Sequence, residues 1–95
     1  MIATTTVKTA TPSKYINRLC KHFAHKVTVQ YDDNQGEVIF NVGKGLIAKM
    51  ADGLIMTAEA DTQENLATVI EIMDRHFVRV AWQEELTLSW TKPSV

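Results

Sequence analysis

The chain has 95 residues, 45% of them hydrophobic and 22% charged, which fits one globular core spanning 1–95 and argues against disorder. No apolar run reaches the roughly 20 residues of a membrane helix, and Met1–Thr6 lacks the basic head and apolar stretch of a secretory signal. With Cys20 as the only cysteine an internal disulfide is excluded, and a cytoplasmic protein is expected.

The net charge of −1 conceals a segregation. The first 31 residues hold Lys8, Lys14, Arg18, Lys21 and Lys26 and no acid, whereas all eleven acids follow with the other five bases. That split, +5 against −6, predicts a basic surface on the N-terminal third, suited to an anionic ligand or partner or to packing beside the chain's own acidic part. Residues Ala3–Thr9, rich in threonine around Val7, read as a strand. Thr11-Pro12 then has the form of an N-cap followed by proline at the first helical position, where its missing N–H costs nothing. Ile16, Leu19, Cys20, Phe23 and Val27 recur at helical spacing, which predicts a helix to about His25. Its opposite face carries Lys14, Arg18, Lys21, His22 and His25.

Alternation of Val27, Val29 and Tyr31 signals the next strand, and Asp32–Gly36 a turn. Val38, Phe40 and Val42 alternate again, Gly43-Lys44-Gly45 reads as a turn, and Leu46, Ala48 and Met50 form a further strand. Asp52-Gly53 is a favoured hairpin dipeptide, leading into Leu54, Met56, Ala58 and Ala60. Asp61 and Glu64 have the spacing of a capping box, after which Leu66, Val69, Ile70, Met73, Phe77 and Val80 mark a second helix. Leu86, Leu88 and Trp90 close with a strand, and Pro93-Ser94 reads as a tail.

The resulting order, β-α-β-β-β-β-α-β, predicts an α+β two-layer sandwich: an antiparallel sheet with both helices on one face. The other face should show polar side chains interrupted by Ile39, Ile47 and Ile55, a patch that suits a homodimer contact. The order resembles the half-domain of TATA-binding-protein-like folds, an architectural likeness that transfers no function. Nucleic acid is not the expected partner, because the exposed face lacks a dense basic footprint and aromatic wedges.

The most chemically loaded stretch is Leu19-Cys20-Lys21-His22-Phe23-Ala24-His25-Lys26. On a helix Cys20 and His22 point to different sides and cannot share one ion. His22 and His25 can lie together, but a metal site needs a third ligand from elsewhere, such as His76, and the lysines repel a cation. Cys20 on the apolar face is expected to be buried and inert. Arg18, Lys21, His22 and His25 instead form a donor-rich surface for phosphate, carboxylate or catecholate oxygens, or a solvated helix face. Glu84 and Glu85 are adjacent and, on a strand, point apart. The Asp32–Gly36 turn lacks the positions of an EF-hand loop, and Gly43-Lys44-Gly45 lacks P-loop spacing. No catalytic residues are identified.

The stretch Leu19–Val27, with His76-Phe77, Arg79, Ala81 and Glu84-Glu85-Leu86-Thr87-Leu88-Ser89-Trp90, resembles a bacterial family known as domain of unknown function 2218. Thr6-Val7 and Thr11-Pro12 with Tyr15 fit as well. The resemblance implies a small protein found alone or attached to siderophore-interacting, flavin-dependent ferric reductases. It therefore implies an accessory role in iron acquisition, with a ferric siderophore or a reductase as partner and no catalytic residues to transfer. A homodimeric scaffold, or a metal- or haem-binding redox protein using His22, His25 and Cys20, are the alternatives.

Overall fold

In a computed structural model, residues 1–81 and 88–91 are described. The elements are β1 (Ile2–Lys8), α1 (Pro12–Ala24), β2 (Thr28–Tyr31), β3 (Gln35–Phe40), β4 (Gly43–Met50), β5 (Gly53–Glu59) and α2 (Gln63–Val80). The strands form one antiparallel sheet in the order β1-β5-β4-β3-β2. Short turns make β2 to β5 a meander, and β1 closes against β5. The fold is thus the expected α+β sandwich up to the second helix. Of the expected last strand, Leu86 and Thr87 lie outside the described residues, and Leu88–Trp90 has no strand structure. Thr91 alone pairs with Thr4 through two backbone hydrogen bonds of 2.7 and 3.1 Å.

Both helices lie on the same sheet face. Their apolar stripes bring Ile16, Leu19, Cys20, Met73 and Phe77 to full burial against Val38, Ile47, Leu54 and Met56. Glycines fix how the helices dock. A Cβ at Gly36 would fall on Cys20 Sγ, and one at Gly45 on the Met73 side chain. Each glycine therefore leaves a gap in the sheet that one helix side chain fills, α1 over β3 and α2 over β4.

These gaps correct the expected turns. Gly43-Lys44-Gly45 is the start of β4, and the chain reverses at Asn41-Val42, with Phe40 opposite Gly43. The next reversal is at Ala51-Asp52, with Met50 opposite Gly53. Among the described residues none has positive φ, so Gly53 is not a turn glycine. It is needed because a Cβ there would strike the Val7 carbonyl on β1.

The shift of the turn inverts the expected faces of β4. Ile47, placed on the open face by the sequence reading, is 1% exposed beneath the helices, whereas Ile39 on the open face is 42% exposed. Leu46 and Ala48, opposite Thr57 and Ile55, take the open face instead. There Lys44 lies 3.7 Å from Glu37 and 3.9 Å from Glu59, a cross-strand charge ladder.

The helix ends also differ in detail. Thr11 makes no side-chain cap bond. At α2 the cap is Thr62 rather than Asp61: its hydroxyl accepts from the Asn65 N–H at 3.1 Å, with Glu64 in the first turn where the helix dipole favours an acid.

Candidate functional site

α1 presents Lys14, Arg18, Lys21 and His25 to solvent along one stripe, because the intervals of four, three and four residues return to one side of a helix. Lys14 also lies over the Tyr15 ring at 5.2 Å. Of the four residues expected to bind a ligand, Arg18, Lys21 and His25 are on this exposed stripe. His22 is not: it sits half-buried at the edge of the apolar face and turns toward α2. Its ring centroid is 5.0 Å from that of His76.

The two imidazoles close the seam between the helices over an aromatic floor. Phe23 lies 4.9 Å from His76 and 5.4 Å from Phe40, ring centre to ring centre. His76 Nδ1 is 2.6 Å from the Ile72 carbonyl oxygen. A carbonyl only accepts, so His76 Nδ1 carries a proton and donates it to Ile72. His22 Nε2 is buried and, among the described residues, has no hydrogen-bond partner.

Burial lowers the pKa of His22 below its ordinary 6.5, and His76, Lys26, Arg79 and His25 lower it further. Among the described residues, each charged group acting on His22 is thus basic, and its neutral form is favoured. Lys21, in the last turn of α1, also complements the negative end of the helix dipole, so it stabilises the helix whether or not it meets a ligand.

Cys20 takes no part in this cluster. It lies on the sheet side of α1, fully buried over Gly36, and burial raises its thiol pKa to about 11. A thiol this buried and this weakly acidic is neither a nucleophile nor a ready ligand. Among the described residues no group of three or more His, Cys, Asp or Glu side chains converges on one point. His22 and His76 supply two imidazoles, whereas tetrahedral zinc takes four ligands.

The pairing of His22 with His76 was only partly legible. Both flank apolar stripes, which is the available signal, but helical spacing cannot say that the two flanks meet. Glu84 and Glu85 lie outside the described residues.

This histidine-bearing seam and the strands beneath it fall within a match to known proteins that runs over residues 4–91. The chain belongs to the family described as "Uncharacterized protein conserved in bacteria (DUF2218)". No curated protein matches it. A similar solved structure is the NMR structure of PA4090 from Pseudomonas aeruginosa, 28% identical with a TM-score of 0.77, covering 95% of this chain and 94% of that one. The DUF2218 assignment thus spans both helices, β2 to β5 and β1 from Thr4 onward. Among the described residues no helix is long and apolar enough to cross a membrane.

Proposed function

We propose that this DUF2218 chain is a cytoplasmic, non-catalytic binding module that receives an anionic ligand on α1, at Arg18, Lys21, His22 and His25. The observation that supports this reading is His22, at the edge of that stripe: a buried ring nitrogen with no hydrogen-bond partner among the described residues, near the basic His76, Lys26, Arg79 and His25. Lowered in pKa, the ring takes up a proton most readily when an anion arrives to neutralise the field around it. Binding should then be coupled to proton uptake. Among anions, a ferric siderophore is the first to test, and a siderophore-interacting reductase the first protein partner, because of the family resemblance.

Calorimetric titration of ferric catecholate and hydroxamate siderophores, and of a reductase partner, tests this at about pH 5.5 and pH 8. Saturable binding, tighter at the lower pH and lost in a His22→Ala/His25→Ala chain, is the expected result. No binding by the natural chain, or equal binding by the variant, overturns it.

A homodimeric interaction role is the second reading. It is favoured by the apolar side chains of the open face, exposed Ile39, Ile2 and Met50 with half-buried Leu46 and Ile55, although Lys44 and Glu59 stand between Ile39 and Ile2. Ile47 takes no part, being buried. Sedimentation at high concentration decides it, since a monomer there removes this reading.

A further inference from the structure

At the other end of α1 lies a cleft of about 910 Å³, between the β1–α1 connection and the β4–β5 turn. Three lysines line it, Lys8 from β1, Lys14 from α1 and Lys49 from β4, against one acid, Asp52. The cleft therefore carries two net positive charges in a chain whose total is −1. Lys8, Lys14 and Lys49 are all exposed, and none has a carboxylate within ion-pair distance among the described residues.

We propose that this cleft binds a small ligand carrying two adjacent phosphate groups. Three lysines from three separate elements border a wide opening, Lys8 from the open face of the sheet and Lys49 and Lys14 from its helix side, and several cations match several anionic oxygens better than one carboxylate. The hydroxyls of Thr9 and Thr11, which also line the cleft, share one hydrogen bond at 3.4 Å, so one of the two O–H groups is left to donate to a phosphate oxygen.

A long polyanion is disfavoured. Asp52 borders the site on one side. Asp33 lies just outside the lining, where its carbonyl accepts from Ser13 and its carboxylate from Asn17. A nucleic-acid backbone continuing past the cleft would meet these carboxylates. Lys14 stands eight residues before His22 on α1, about 12 Å along the helix axis and more than two turns away.

The test is amide-resolved NMR titration with inorganic pyrophosphate, with inorganic phosphate, a nucleoside diphosphate and a short RNA duplex as parallel arms. The expected result is saturable shifts at 8–14 and 49–53, with pyrophosphate and the nucleoside diphosphate tighter than phosphate. A Lys8→Gln/Lys14→Gln/Lys49→Gln chain should bind at least about tenfold more weakly. Because the three side chains are exposed, this variant should keep its fold, which its own amide spectrum reports, and Lys49→Arg alone should retain binding. Absence of saturation, shifts confined to 18–25, undiminished binding by the triple variant, or tightest binding by the RNA would each overturn the proposal. Shifts at 18–25 would still leave the α1 anion reading intact, so the two can fail independently.

Discussion

At the scale of single residues the chemistry concentrates in His22. Its folded pKa is lowered, first by burial and then by His76, Lys26, Arg79 and His25. The unfolded chain therefore binds a proton at a higher pH than the folded one. Stability is fully present above the ordinary value of 6.5 and falls as pH drops from there toward the lowered folded pKa, below which the loss levels off. Replacing His22 with Gln removes the titrating group while keeping a polar side chain. Urea unfolding between about pH 8 and pH 5 should then show a smaller loss of stability on acidification for His22→Gln than for the natural chain. Identical slopes would mean that His22 titrates normally in the fold, and the case for a ligand-coupled proton there would fall with it. Cys20, two positions away, makes the opposite contribution: it adds packing volume and no chemistry.

At the scale of elements, the helices were legible and one strand was not. The spacing from Ile16 to Phe23 and from Leu66 to Val80 admits only a helix, and both appear where expected. In β4, apolar residues occupy both parities at Leu46, Ile47 and Ala48, so alternation cannot choose a face. Gly43 and Gly45 then look like a turn, when they are the places where α2 comes close. The same ambiguity hid the docking of α1, because Gly36 was read as the end of a loop. Gly36→Ala should therefore destabilise the fold by about 1–3 kcal/mol, the range for an overpacked core. The new methyl meets Cys20 Sγ and also approaches Tyr31 Cβ at 3.1 Å and Ile47 Cγ2 at 3.3 Å. Adding Cys20→Ala should recover part of that loss, since it removes the closest atom. Gly45→Ala should cost less, because it meets the far end of the flexible Met73 side chain. Thermal or urea unfolding of the four chains decides it, and a double variant no better than Gly36→Ala would show that the two elements are not held apart by this pair.

At the scale of the whole molecule, the five-stranded sheet has two edges that could recruit another chain. The β2 edge is only four residues long, and its open-face side chains Thr28 and Gln30 are polar. The β1 edge is longer, and the segment Leu88–Thr91 returns to it. Thr91 exchanges two backbone hydrogen bonds with Thr4, the Thr5 hydroxyl donates to the Ser89 carbonyl at 3.0 Å, and the Trp90 indole N–H donates to Asp74 on α2 at 3.0 Å. These contacts tie sheet, helix and returning segment together across most of the sequence. Thr91→Pro removes one donor, the N–H that reaches the Thr4 carbonyl at 2.7 Å, and should cost about 1 kcal/mol. The Thr4 N–H, whose partner is the Thr91 carbonyl, should then exchange its hydrogen faster, while amides inside β4 and β5 keep their rates. If the returning segment protects the edge, the variant should also associate more readily at high concentration, a change that sedimentation reports. Unchanged exchange at Thr4 would mean that the bridge contributes nothing to closing β1, and the edge would have to be guarded by its own charged and β-branched side chains alone.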